Sequence, residues 1–279
     1  MTEQIVGFEI KSKIEHKTIS EKENEIHYYL SGERGNPVIL FLHPAFSDHT
    51  SFYKQIDYFS QEFQVITVDL IGHGLSKLNN SKLKIDASVE CILKIMETEN
   101  IDKIHISGVS MGGLIAQYFA LQYPTQVLSL TTLGGYNINR VNREVVRLQR
   151  KEMFGWLFRI IFSMTAFRRY VASVSVINEE GLDHFYKSTK GFSRKSFTVM
   201  SGLNNLIAER ENPLRNYPLL ILAGEKDIDL SKKMAESWHN EEPDSIFHII
   251  ENAGHCANID NYESFNAIVY STIANAKKR

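Results

Sequence analysis

Ile106-Ser-Gly-Val-Ser-Met-Gly-Gly-Leu114 holds a G-x-S-x-G pentapeptide, Gly108 to Gly112, at the junction of two differently patterned segments. Ahead of it, Ile104-His-Ile-Ser107 is a short apolar run that predicts a strand. Behind it, Met111 to Tyr123 predicts a helix, halted by Pro124. A strand that turns into a helix at Ser110 forces strained dihedrals on that residue, and glycines two positions to either side keep Cβ atoms out of the crowded turn. The hydroxyl then stands at a helix N-terminus, where backbone N–H groups and the helix dipole favour negative charge. That is the setting a nucleophilic serine requires.

Outward from this junction, short runs of the same kind recur: Val38-Ile-Leu-Phe-Leu42, Val65-Ile-Thr-Val68, Val127-Leu-Ser-Leu130, Leu219-Leu-Ile-Leu222 and Ile246-Phe-His-Ile-Ile250. Continuous apolar runs suit strands covered on both faces, as in a parallel sheet. Between them, Asp86 to Glu99 puts Val89, Ile92, Leu93 and Met96 on one helical face, and Ile259 to Ala276 does the same with Phe265, Ile268, Val269 and Ile273. Alternating strands and helices predict β-α-β units in a doubly wound α/β sheet. Before Gly32, Phe8-Glu-Ile-Lys, Lys17-Thr-Ile-Ser and Glu25-Ile-His-Tyr-Tyr-Leu30 suggest an antiparallel meander at the sheet edge. The alternation stops between Tyr136 and Asn216, where helical periodicity and aromatics dominate. The expected organisation is therefore a core in two parts, residues 1–135 and 217–279, with a helical insertion over 136–216. From Asn137 to Tyr170 that insertion has eight Lys and Arg against Glu144 and Glu152.

A serine hydroxyl is a weak nucleophile until a base takes its proton and a third group orients that base. On α/β sheets the order along the chain is Ser, then Asp or Glu, then His. Leu219-Leu-Ile-Leu-Ala-Gly-Glu-Lys-Asp227 ends a strand with a carboxylate just beyond it, and Asp229 lies two residues further on. Ile249-Ile-Glu-Asn-Ala-Gly-His255 ends the next strand with a histidine. Strand ends of this kind are where open α/β sheets bind ligands. Asp227 is the better candidate for the acid, with Asp229 the alternative, and His255 is the base. An oxyanion needs two backbone donors. Met111 supplies one; Pro44 has no N–H, which leaves Ala45 or Phe46 for the other, and Ala45 is the choice.

With these landmarks in order, the chain resembles the α/β-hydrolase superfamily, in its esterase- and lipase-like serine-hydrolase branch with a helical cap. The resemblance rests on His43-Pro-Ala, on Asp69-Leu-Ile-Gly-His-Gly-Leu-Ser76, on the Ser110 turn, and on the acid and histidine loops. It covers about residues 25–134 and 217–276. It implies a mostly parallel eight-stranded sheet flanked by helices, a Ser110–His255–Asp227 triad, an acyl-enzyme intermediate, and hydrolysis of a small carboxylic ester, thioester or lactone. Gly72, His73, Gly74 and His43 are then turn and loop-bracing residues. Pro44 departs from the family's usual glycine, and Val109 stands where the C–C bond hydrolases carry asparagine. A C–C bond hydrolase, or a ligand-binding or regulatory protein on the same scaffold, are the alternatives. Phe154, Trp156, Phe158 and Phe162 are candidates for an apolar acyl pocket.

Composition narrows the surroundings. The 279 residues are 43% hydrophobic and 23% charged, with net charge −2, so no global field draws in nucleic acid. Cys91 and Cys256 are too few for a disulfide framework, and Cys256 beside His255 reads as a packing residue. Phe154 to Phe167 is interrupted by Arg159 and too short to span a bilayer, so stable membrane insertion is not expected. The N-terminus has no secretory pattern. The expectation is a cytoplasmic monomer or homodimer acting on a small-molecule acyl substrate. No metal or cofactor is expected, because no ligand cluster, phosphate loop or dinucleotide glycine pattern is present.

Overall fold

A computed structural model describes residues 4–5, 8–9, 12–79 and 82–276. The strands of its main sheet are β1 (Ile14–Glu21), β2 (Asn24–Ser31), β3 (Val38–Leu42), β4 (Gln64–Val68), β5 (Ile104–Val109), β6 (Val127–Leu133), β7 (Leu219–Gly224) and β8 (Ile246–Ile250). Their order across the sheet is β8-β7-β6-β5-β3-β4-β2-β1. All neighbours from β8 to β4 are parallel. β2 runs antiparallel to β4, and β1 antiparallel to β2. Of the sequence expected to open the meander, Phe8–Glu9 pairs instead with Gln4–Ile5 in a separate two-stranded piece.

The continuous runs are buried along their whole length in β3, β4, β5 and β7. Successive side chains alternate between two cores, one on each face of the sheet. Val38, Leu40 and Leu42 enter one with α2 (Ser88–Thr98) and α3 (Met111–Gln122). Ile39 and Phe41 enter the other with α1 (Tyr53–Phe59) and the C-terminal helix. A strand covered on both faces has no polar side, which is why its sequence shows no alternation of polarity.

Between β6 and β7 the structure contains α4 (Arg143–Phe162), α5 (Met164–Ser175), α6 (Glu179–Ser188) and the one-turn α7 (Leu203–Leu206). None of the sheet's strands comes from this connection. Helix α8 (Asp229–Glu241) follows β7. The single helix expected over 259–276 is two, α9 (Ala257–Asp260) and α10 (Tyr262–Ala276). The chain leaves helical geometry at Asn261, φ −135°, ψ 66°. Apolar periodicity continues across that break, so pattern alone does not reveal it.

Candidate active site

β5 lies in the middle of the parallel sheet, and Ser110 follows its last residue. Ser110 adopts φ 50°, ψ −115°, in the region that L-residues avoid, as the strand turns into α3. Its N–H is held by the Leu133 carbonyl of β6 at 2.7 Å. Gly112 makes the turn possible. A Cβ there would stand 2.0 Å from the Leu42 carbonyl oxygen and 2.8 Å from that of His43. The first turn of α3 therefore rests directly on the backbone that leads into Pro44 and Ala45. Backbone on both sides cannot yield, so Gly112→Ala is expected to cost about 3 kcal/mol of stability. Thermal or urea unfolding measures it, and a loss within about 0.5 kcal/mol would show that the contact is not as tight as described.

The same contact brings the two expected donors to one place. Met111 is the first residue of α3, a position whose N–H has no acceptor within the helix. Ala45 and Phe46 line the cavity that Ser110 also lines. Phe46, at φ 72°, turns the chain there. His43 is buried and braces the loop, its Nε2 accepting from Leu70 N–H at 3.0 Å. Burial pushes its imidazole down to about 4, so it stays neutral and holds that bond. His73 is likewise buried, with Nδ1 on the Ile71 carbonyl at 3.0 Å.

Asp227 and His255 are brought together by the packing of their two loops. Glu225 N–H donates to the Ile250 carbonyl and Lys226 N–H to that of Ala253, both at 2.9 Å. His255 Nδ1 then meets Asp227 Oδ2 at 2.9 Å. At Gly134, after β6, a Cβ would stand 2.8 Å from His255 Cε1, so the imidazole packs closely on the backbone next to the Leu133 carbonyl that holds Ser110. The Ser110 hydroxyl and His255 face one cavity but are not hydrogen-bonded to each other here. Such links commonly close only around a bound reactant. Asp229 plays no part. It opens α8, pairs with Lys232 at 3.2 Å and is 87% exposed.

The electrostatics follow from this geometry. Burial pulls the His255 imidazole down, but the charge of Asp227 and its hydrogen bond outweigh that and leave it raised above the ordinary histidine value. Burial pushes the Asp227 carboxyl up. His255, together with the Ser231 hydroxyl at 2.6 Å and Ile228 N–H at 2.7 Å, overcomes this and holds it below the usual carboxylate range. Ser231 was not singled out from the sequence. Its only signal there is its place one helical turn after Asp227. Asp260, also unsuspected, ties the histidine loop to the inserted helices, accepting from Gly254 N–H at 2.9 Å and from Asn178 N–H at 3.1 Å. Cys256 is buried, and burial raises its thiol well above the ordinary value, which makes it inert.

The cavity holds about 410 Å³. Leu148 and Trp156 of α4, Tyr170, Val171 and Val174 of α5, and Met234 of α8 form its apolar wall. Of the four aromatics expected there, Trp156 takes part. Phe154 and Phe162 are on the outer surface, and the Phe158 side chain lies outside the described residues. Among the described residues no cluster of His, Cys, Asp and Glu could hold a metal ion.

The chain is similar to several known proteins. The profile of the alpha/beta hydrolase fold matches residues 37–163. The (E)-2-((N-methylformamido)methylene)succinate hydrolase of Acinetobacter baylyi is 24% identical over 263 residues, covering 90% of this chain and 95% of its own. A 2-hydroxy-6-oxononadienedioate/2-hydroxy-6-oxononatrienedioate hydrolase of a Pseudomonas species is 25% identical over 282 residues, covering 94% of this chain and 96% of its own. Among solved structures, one from work on carboxylesterases of Nitrososphaera gargenis superposes with a TM-score of 0.79 at 18% identity. It covers 94% of this chain and 99% of its own.

Proposed function

The chain belongs to the α/β-hydrolase fold superfamily, and on that premise we propose that it is a serine hydrolase cleaving a neutral carboxylic ester, thioester or lactone. The observation that carries this reading is the His255–Asp227 bond at the edge of an apolar cavity that Ser110 also lines. Ser110 Oγ attacks the substrate carbonyl and gives its proton to His255 Nε2. Asp227 holds Nδ1–H and with it the tautomer and orientation of the ring. The N–H groups of Ala45 and Met111 receive the negative charge that develops on the carbonyl oxygen. His255 then protonates the departing alcohol, thiol or ring oxygen, and water, activated by the same imidazole, releases the acid.

Neutrality of the substrate follows from the cavity wall. Among the described residues that line it, Asp227 is the only carboxylate and His255 the only imidazole, and no Lys or Arg is present. A carboxylate on the substrate would be desolvated with no cation to meet it and with Asp227 nearby. The two curated relatives are named for succinate and dienedioate substrates, which bear carboxylates; the wall described here favours an ester over those acids. The test compares the p-nitrophenyl esters of butyrate and of succinate, the latter with its second carboxyl free. The neutral ester is expected to lead by about 100-fold or more in kcat/KM. Equal rates, or a preference for the hemisuccinate, would overturn the neutral-substrate reading. Failure of a fluorophosphonate to label Ser110 would overturn the serine chemistry itself.

A further inference from the structure

Helix α4 is apolar on two opposite sides. Leu148 and Trp156 face the cavity and Ile160 is buried. At 3.6 residues per turn, Phe154, Ile161 and Phe162 fall on the other side of the cylinder, where they are 69%, 58% and 71% exposed. A helix on the outside of a globular protein keeps its outward stripe polar.

The surroundings of that stripe are rich in bases. From Met153 to Ala208 the chain has seven Lys and Arg against Glu179, Glu180 and Asp183, the last paired with Lys187 at 2.6 Å. The structure holds the two ends of this stretch side by side. Arg194 Nε donates to the Ile160 carbonyl at 2.9 Å and its Nη2 to that of Ile161 at 3.1 Å. Arg168 Nη2 donates to the carbonyls of Lys190 and Phe192, each at 3.1 Å. Arg169, Lys190 and Lys195 are exposed. The local charge is thus positive on a chain whose net charge is −2.

We propose that this face docks peripherally on an anionic lipid bilayer. Phe154, Ile161 and Phe162 would enter the boundary between headgroups and acyl chains, and the bases would meet lipid phosphates. A nucleic acid would account for the charge but not for the aromatics. A second copy of the chain would meet the same positive charge on its own face, which opposes pairing. Among the described residues no helix is long and apolar enough to cross a membrane, so the contact is one of the surface. Because α4 also walls the cavity, docking sets that wall against the bilayer.

Co-sedimentation of the Ser110→Ala chain with vesicles tests this without turnover and independently of the serine chemistry. Vesicles of phosphatidylcholine doped with phosphatidylglycerol are expected to carry the protein down at about 0.1 M salt and to release it at about 1 M, where charges are screened within about 3 Å. Phosphatidylcholine alone is expected to bind at least about tenfold more weakly. Phe154→Glu and Ile161→Glu, made on the active chain, are expected to weaken vesicle binding at least about tenfold while leaving turnover of a short soluble ester unchanged. Arg169→Glu with Lys195→Glu is expected to do the same. The proposal is overturned if anionic vesicles leave the protein in the supernatant or if neutral vesicles bind it equally. It is also overturned if Ile161→Glu dissolves a dimer seen by analytical ultracentrifugation, which would make a second copy the occupant.

Discussion

Ser110→Ala is expected to lower kcat on a neutral ester by about a millionfold. The hydroxyl is the atom that forms the acyl bond, and neither of the other serines that line the cavity, Ser175 and Ser231, stands at the turn into α3. Ser231 donates to Asp227, and Cys256 is buried with its thiol protonated. Alanine keeps the Cβ, so the turn at φ 50° is no more strained than before. Stability should stay within about 0.5 kcal/mol of the parent. What remains is rate due to the oxyanion donors and binding, on the order of 10³-fold over water. Adding His255→Ala to this variant should cost almost nothing further, because residues that act as one unit do not add. The measurement is single-turnover hydrolysis on both variants with their unfolding curves. Retention of about one hundredth of the parent rate by Ser110→Ala would remove the serine from the chemistry.

Asp227→Asn is expected to lower the plateau of kcat/KM by about 10⁴-fold and to move its acid limb. The base must be neutral to accept the serine proton, so activity rises with pH as His255 loses its own proton. In the parent, Asp227 raises the imidazole above the ordinary histidine value of 6.5, and the limb lies above that pH. With asparagine the charge is gone while burial remains, and burial alone lowers the imidazole. The limb then falls below pH 6.5. A pH–rate profile separates the two effects. A lower plateau with an unmoved limb would mean that Asp227 only props the loop and is not the electrostatic partner of His255.

Much of this was legible in the sequence because it is local. Strand β5, the glycines around Ser110 and helix α3 form one continuous stretch, and the strain they imply is there in the structure. The apolar runs gave the sheet, since a strand buried on both faces must be apolar throughout. The order of Ser110, an acidic loop and His255 along the chain was equally plain. What could not be read was which way a side chain faces once elements pack. Asp227 and Asp229 are both short carboxylates past the same strand. Only the start of α8 turns one toward His255 and the other into solvent beside Lys232. Ser231 and Asp260 became visible through their partners 4 and 82 residues away.

The inserted helices show the same division most sharply. By itself the sequence determined that α4 would be helical, aromatic and basic. It could not determine that Trp156 would enter the cavity while Phe154 and Phe162 stay outside, because a helix with apolar residues on both sides has no preferred rotation of its own. That rotation is set by the surface the helix lands on, which is built from its neighbour α5 and from Phe46, 110 residues before Trp156 in the chain, whose ring meets that of Trp156 edge to face.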